Sequence, residues 1–489
     1  MLDMPELPAI VAPPPPGRGV FCNRTLNLRA IRAVGFDMDY TLVHYDVDAW
    51  ERRAYAYLKQ KLQDQGWPVD DLEFPAGFAV RGLAIDTHLG NLVKADRFGY
   101  VKRACHGMRR LEFDEQRTAY GRQLADMSDP RWVFLNTFFS LSEASMYAQL
   151  VERLDARRFG KRALGYADLW QKVHDALDSA HAEGRLKSEI VAAPTDYVVL
   201  DEDLPATLTD LRQAGKRLLL VTNSDWAFTQ AMMSHALDRY LPAGVGWRCL
   251  FDLVIVSARK PEFFSGRAAA FQLVSDDGLL RASPEGALPL GPGIYVGGNA
   301  ALVEASLGLA GSEVLFLGDH LYTDVRVSKD VRRWRTGLIV RELEQEQADV
   351  ATKQHQQDRL DELMAEKAQV EFEQAHLRLR LQRTERTPAS SRTAAARLES
   401  RIGRLRSRIE RLDEEIGPLA LAVGQIFNQT WGPLMSAGAD RSYLARQLEE
   451  SADIYMSRVS NLLYQTPFAY LRAPRSRMPH DLPLERGDD

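Results

Sequence analysis

At 489 residues, 45% of them hydrophobic, the chain can bury a full core and divide into roughly two to four domain-sized pieces, which excludes a disordered protein. Its 62 Lys and Arg against 67 Asp and Glu leave a net charge of −5, which excludes a global positive field for nucleic acid or acidic lipid. Cys22, Cys105 and Cys249 are scattered and lack CxxC spacing, which excludes a disulfide framework or a zinc knuckle and fits a reducing cytoplasm.

Residues 1–20 open acidic and run into PPPP, where a secretory signal would need a basic stretch and an apolar core, so they read as a flexible tail. No apolar run approaches the roughly 18 residues that span a bilayer, so no membrane insertion is expected. From residue 21 the pattern is of short buried strands: IRAVGFDMD at 31–39, KRLLLVTNSD at 216–225, FDLVIVSARK at 251–260 and EVLFLGDHLYTD at 313–324. Helical stretches separate them, such as DEDLPATLTDLRQAG with its stop at Gly215. Alternation of this kind predicts an α/β fold with a doubly wound parallel sheet spanning 21–340. Residues 45–205 are far more than a crossover requires and predict an inserted cap.

Residues 341–416 change character, losing Gly and gaining Glu, Gln, Arg and Leu. Leu398, Ile402, Leu405, Ile409, Leu412 and Ile416 follow the 4-3-4-3-4 spacing of a coiled-coil seam, and TPASSR at 387–392 divides the segment. An antiparallel helical hairpin is predicted, serving as an interaction or dimerisation device, with its arginines and glutamates on a solvated face. Residues 417–489 read as a C-terminal helical segment packed on the core.

In doubly wound sheets a site lies beyond the carboxyl ends of the strands, where Asp37, Thr222, Lys260 and Asp319 would all fall. Phosphoryl transfer by a carboxylate needs a nucleophile, a cation and a proton donor for the leaving alkoxide. Asp37 can attack, and Asp39, two residues on, can protonate the leaving oxygen and later activate water. Asp319 and Asp324 offer hard oxygen ligands suited to Mg²⁺, joined by Asp37 and the backbone carbonyl of Asp39. Thr222 supplies a hydroxyl and nearby N–H donors to the phosphoryl oxygens, and Lys260 supplies positive charge. Each signal alone is ordinary turn chemistry; their order, each at the end of an apolar run, is what points to a site.

FDMDYTL, VTNSD, ARKPEFF and LGDHLYTD resemble the four motifs of the haloacid dehalogenase superfamily. Together with RGLAIDTHLGNLVKAD, FLNTFFSL, HAEGRLK, YVGGN, WRTGLIV and NLLYQTPFAYLRA, they resemble more narrowly the cytosolic purine 5′-nucleotidases that prefer IMP and GMP. The hairpin at 341–416 is the poorest match. The resemblance implies a haloacid dehalogenase-type, Rossmann-like core and the same roles for Asp37, Asp39, Thr222, Lys260, Asp319 and Asp324, with Mg²⁺ as cofactor. It also implies a base and ribose pocket drawn from Asn136, Phe139, Asp178, His181 and Lys187, with Asn223 and Ser224 near the phosphate. Phe139 or His181 could stack on a purine, Asp178 could accept from purine N–H groups, and Lys187 could bind the phosphate or a base carbonyl. Phe139 could equally be core, and His181 a satisfied helix-end histidine.

The chain departs from that family at His174, where an arginine is usual, and at the effector positions matching Asp126, Tyr322, Asp330, Gln447, Glu450 and Ser451, several of them acidic or small here. Activation by ATP therefore does not follow from the resemblance. The expectation is a cytoplasmic 5′-nucleotidase acting on purine nucleoside monophosphates, a homo-oligomer (dimer or tetramer) by resemblance. Three alternatives stand beside it: a nucleoside phosphotransferase, a phosphatase of other small esters, and an inactive scaffold working through its hairpin.

Overall fold

The computed structural model describes residues 14–159, 164–275, 278–283, 286–386 and 392–475, with the side chains of His181 and Ala182 left undescribed. Ten strands form the principal sheet: β1 (Val20–Cys22), β2 (Ala33–Phe36), β3 (Arg217–Val221), β4 (Leu253–Val256), β5 (Ala270–Leu273), β6 (Leu280–Ala282), β7 (Ile294–Gly297), β8 (Val314–Gly318), β9 (Arg335–Ile339) and β10 (Ile454–Met456). Their spatial order is β1-β10-β9-β8-β2-β3-β4-β7-β5-β6. The seven strands from β10 to β7 are mutually parallel; β1 at one edge and β5 at the other run antiparallel to them, and β6 pairs antiparallel with β5.

The strands are continuous apolar runs because both faces of the sheet are covered. Val34, Phe36, Leu218, Leu220, Val254, Leu315 and Leu317 point into one core, whereas Ala33, Leu219, Leu253, Ile255, Val314 and Phe316 point into a second on the opposite face. The two-residue period of the strand assigns each neighbour to opposite sides, so every position must be apolar. Gly35 is the exception in size. A Cβ there would lie 2.7 Å from the Phe316 ring, and the glycine lets the central strands β2 and β8 pack around that ring.

After β2 the chain leaves the sheet and returns at β3. The exit strand His44–Tyr45 pairs antiparallel with the return strand Val198–Val199, closing a neck beneath the intervening residues. Those residues build their own five-stranded antiparallel sheet from 84–86, 91–95, 101–106, 109–110 and 132–134. They also form helices α1 (Val47–Asp64), α2 (Leu141–Asp155), α3 (Tyr166–Ala182) and α4 (Arg185–Ala192). Apolar residues of all four helices, including Leu58, Tyr147, Trp170 and Ile190, belong to the same core cluster as β2 and β3. Helix α5 (Trp226–Leu237) follows β3, capped by Asp225, whose carboxylate accepts from the Phe228 N–H at 2.9 Å.

Beyond β9, α6 (Leu343–Glu385) and α7 (Arg392–Gly424) form an antiparallel pair that runs eight residues past the predicted end of the hairpin. Leu398, Ile402, Leu405, Ile409, Leu412 and Ile416 lie on the less exposed face of α7, and Leu412 and Ile416 cluster with Leu363 of α6. Arg401–Glu373, Arg408–Glu366 and, at 2.6 Å, Lys367–Asp413 tie the helices across the seam. The TPASS residues at 387–391 fall outside the described residues.

Two boundaries differ from expectation. The C-terminal segment is not simply helical: Ile454–Met456 adds β10 between β1 and β9, because its backbone satisfies the otherwise exposed edge of β9. The N-terminal tail is shorter than 20 residues. Arg18 is fixed by Asn461 at 2.6 Å, Ser460 at 2.8 Å and Asp203 at 2.9 Å, and Val20 begins β1; residues 1–13 lie outside the described residues.

Candidate active site

Four adjacent strands deliver the site. β8, β2, β3 and β4 lie side by side and parallel, so the segments following them emerge at one edge of the sheet. After β2 the chain turns sharply: the Met38 carbonyl accepts from the N–H groups of Thr41, Leu42 and Val43 at 3.2, 2.9 and 3.0 Å, and Tyr40 adopts φ +53°. This turn lets Asp37 and Asp39 face different partners.

Asp37 is buried, its N–H held by the Leu317 carbonyl at 2.9 Å. Lys260 places its ammonium 2.7 Å from Asp37 Oδ1 and 2.7 Å from Asp324 Oδ1. These contacts are ionic rather than well-aligned hydrogen bonds, since Lys260 Nζ and Asp324 Oδ1 lack a properly directed partner. Asp324 reaches the cluster from the turn Leu321–Arg326, where its Oδ2 accepts from the His320 N–H at 3.2 Å. It packs so closely over Gly318 that a Cβ there would lie 2.5 Å from the aspartate side chain.

Asp37, Asp319 and Asp324 place carboxylate oxygens within 4.8 Å of one another, and all three are buried. Three acids face one ammonium. Burial pushes Asp37 up to about 7, opposed by Lys260 and reinforced by Asp324 and Asp39. Burial likewise holds Asp319 well above the usual carboxylate range, with Asp324 and Asp37 adding to it. For Lys260 burial works against the charge, but Asp324 and Asp37 outweigh it and keep the ammonium raised. Asp319 Oδ2 is buried without a hydrogen-bond partner. A hard divalent cation fits this donor set: it would satisfy that oxygen and supply the positive charge the cluster lacks.

Asp39 turns its carboxylate the other way. Its Oδ1 accepts from the Tyr45 hydroxyl at 2.6 Å and its Oδ2 from the Ser224 hydroxyl at 2.6 Å, so any metal contact from Asp39 would have to use its backbone carbonyl. Ser224 in turn accepts from Lys187 Nζ at 3.0 Å, and its N–H donates to Thr222 Oγ1 at 3.1 Å. Thr222 is fully buried, and its N–H is spent on the Ile255 carbonyl at 3.0 Å. Asn223 clamps the backbone of Lys260, accepting from its N–H at 2.6 Å and donating to its carbonyl at 3.1 Å.

From Asp39 a cavity of about 340 Å³ extends between the sheet and the excursion, lined by Trp50, Phe139, Leu186, Lys187, Asn223 and Ser224. Its volume lies within the range of small-molecule sites. Phe139 packs 5.0 Å from Tyr40 and 5.3 Å from Trp50, and Lys187 stands 4.7 Å from the Phe228 ring.

Of the predicted pocket residues, Phe139, Lys187, Asn223 and Ser224 line this cavity. Asn136 and Asp178 do not; Asp178 is solvent-exposed on α3, with His174 Nε2 3.7 Å away. His181 lies on α3 with its side chain outside the described residues. His174 pairs with Glu143 at 2.6 Å and stacks on Trp170, and so serves the fold of the excursion.

Sequence reasoning missed Tyr45, Trp50, Leu186 and Arg81. Arg81 is buried, donates to the Asp319 carbonyl at 3.2 Å and pairs with Glu342, with Phe138 under its guanidinium at 4.2 Å. Tyr45 had a usable signal: an aromatic hydroxyl a few residues beyond a DxD pair at a strand end can return to the second carboxylate.

Comparison with known proteins adds a family. Residues 20–483 match the model of the 5′ nucleotidase family. The human 5′-nucleotidase domain-containing protein 2 is 28% identical over 497 residues, covering 98% of this chain and 87% of that protein. A predicted phosphoglycolate phosphatase from Haemophilus somnus aligns at 12% identity over 64% of this chain and 86% of its own, TM-score 0.25. A haloacid dehalogenase-like hydrolase from Xanthomonas campestris aligns at 12% identity over 63% and 82%, TM-score 0.24.

Proposed function

The chain belongs to the 5′ nucleotidase family, phosphoric monoester hydrolases, and from that premise we propose that it hydrolyses purine nucleoside 5′-monophosphates, IMP and GMP foremost, through an aspartyl-phosphate on Asp37. The observation that carries the reading is convergence: Asp37, Asp319, Asp324 and Lys260 meet at one sheet edge, beside an apolar cavity that begins at Asp39.

In this reading Lys260 and the Thr222 hydroxyl hold the phosphoryl oxygens, and Asn223 fixes Lys260 by its backbone. An Asp37 oxygen attacks phosphorus in line with the ribose 5′-oxygen; the P–O5′ bond breaks as the acyl-phosphate bond forms, and Asp39 gives its proton to the departing alkoxide. Asp39 then takes a proton from a water that attacks the acyl-phosphate, releasing inorganic phosphate and restoring Asp37. Asp37, Asp319, Asp324 and the Asp39 carbonyl would hold Mg²⁺, which supplies charge neutralisation for the phosphoryl oxygens. Tyr45 and Ser224 orient Asp39, and Trp50 and Phe139 offer the faces on which a purine stacks.

The three cysteines are free thiols, as a reducing cytoplasm would leave them, and no described helix is long and apolar enough to cross a membrane.

Phosphate release from a panel of nucleoside monophosphates and sugar phosphates tests the reading, with Mg²⁺, with EDTA, and with Asp37→Asn. Metal-dependent release from IMP or GMP that vanishes in the variant is expected. Release confined to sugar phosphates would overturn the substrate, and full activity in Asp37→Asn would overturn the nucleophile. The cavity that would hold the departing nucleoside could also admit one as acceptor, so an inosine arm reports phosphotransfer.

A further inference from the structure

The seam at 398–416 is used up within the chain, since its residues pack against α6. A second apolar stripe is left over. Met364, Ala368, Phe372, Ala375 and Leu379 of α6 are all exposed, Phe372 at 68%, Met364 at 48% and Leu379 at 43%. At 100° per residue they occupy an arc of about 80°, roughly 150° around the helix from the seam formed by Leu363, Val370, Gln374 and Leu377. The stripe therefore faces away from α7, and the His376 ring of the same helix, 4.2 Å from that of Phe372, leaves it largely open.

Its pattern is close to a palindrome. A two-fold axis across the helix between Glu371 and Phe372 exchanges Met364 with Leu379 and Ala368 with Ala375, and brings two Phe372 rings together at the centre. Charge follows the same symmetry. The turn before the stripe carries Asp358, Asp361 and Glu362 against Arg359, which pairs with Glu362 at 3.1 Å, whereas the turns at its end carry Arg378 and Arg380, and these two arginines make no ion pair among the described residues. An antiparallel second helix sets each acidic turn alongside the partner's basic turn. A parallel arrangement would stack like on like. Small residues at 368 and 375 allow close approach, as an isologous contact requires of a surface that must complement itself.

We propose that the outer face of α6 is a two-fold interface between two copies of this chain, with α6 packed antiparallel on the partner's α6 about an axis beside Phe372. The contact lies on the hairpin, away from the cavity, so dimerisation and activity are separable.

Sedimentation or light scattering of the full chain, with phosphatase assays alongside, tests this. Wild type should run as a dimer or a multiple of one, and Phe372→Glu should halve that mass without changing turnover. Register is read by disulfide cross-linking in a Cys249→Ser background, because Cys249 is exposed. Ala368→Cys protein mixed with Ala375→Cys protein should cross-link well above either alone. A monomeric wild type, a mass indifferent to Phe372→Glu, or Ala368→Cys cross-linking to itself as readily as in the mixture would each overturn the proposal.

Discussion

The two ends of the cavity are built by different means. At the phosphate end the residues sit within a few positions of four adjacent strand ends, and each is held by backbone geometry: the Met38 turn, the Asn223 clamp on Lys260, the Gly318–Asp324 contact. At the pocket end the walls come from α1, α4 and the 138–140 turn of the excursion, brought over the sheet chiefly by apolar packing, with Lys187 reaching across to Ser224. The first end is specified locally and leaves little latitude. The second is specified by how two bodies of structure pack, and single residues there should matter less.

The comparison breaks first at Asp319. If the phosphate end works through a cation, Asp319→Asn should remove several kcal/mol of transition-state stabilisation, about 10³-fold in kcat/KM. Calorimetric titration with Mg²⁺ in the absence of substrate should show the same loss as weakened binding. An active variant with unchanged Mg²⁺ affinity would show that the three buried acids are structural.

Tyr45 tests the junction of the two ends. Its hydroxyl holds one oxygen of Asp39, and Phe preserves its contacts with Tyr40 and Trp50 while removing that bond. In kcat/KM, which reports only as far as formation of the aspartyl-phosphate, Tyr45→Phe should cost a nucleoside monophosphate about 10- to 100-fold, as expected where a general acid is misplaced, and leave p-nitrophenyl phosphate, whose leaving group needs no proton, nearly unaffected. Equal losses for both substrates would mean that the tyrosine only supports the fold.

At the pocket end, Phe139→Ala should raise KM for IMP about 10-fold, the scale of one base–aromatic stack, with kcat within a few-fold. Asp178→Ala should move neither by more than about twofold, because an exposed carboxylate outside the cavity contributes little. A large effect at Asp178 would mean that the excursion closes over the substrate and brings α3 into the pocket.

What the sequence revealed follows the same division. The four strand-end segments were legible because a buried parallel strand is a continuous apolar run and the residue after it is fixed in place by the strand. Asp37, Lys260, Asp319 and Asp324 came from that rule. Trp50 and Leu186 did not, because they lie on amphipathic helices where one apolar residue looks like the next, and only packing decides which of them borders the cavity. The seam at 398–416 was legible by period, and its occupant was not: apolar spacing records that a helix is covered, never by what. β10 was hidden because three residues are too short to show a period.

Glu51 sharpens the contrast from beneath the pocket. It is fully buried on α1 beside the cavity-lining Trp50 and accepts from the Ser142 N–H at the start of α2 at 2.6 Å, while its other oxygen has no partner. Burial pushes its carboxyl from an ordinary 4.5 to about 8, and the hydrogen bonds from Ser142 only partly offset that. The folded state thus keeps a proton that the unfolded chain gives up. Its contribution to stability is complete below pH 4.5 and is lost as pH rises through about 8. Glu51→Gln keeps the acceptor and the neutral charge and removes the titration. Thermal melts at pH 5, 7 and 9 should show wild type falling relative to the variant with each step, with turnover at pH 7 unchanged within about twofold. Parallel curves would mean that the carboxylate is already ionised in the fold and that water or a cation reaches beneath the aromatic wall, which would make the pocket end as polar in construction as the phosphate end.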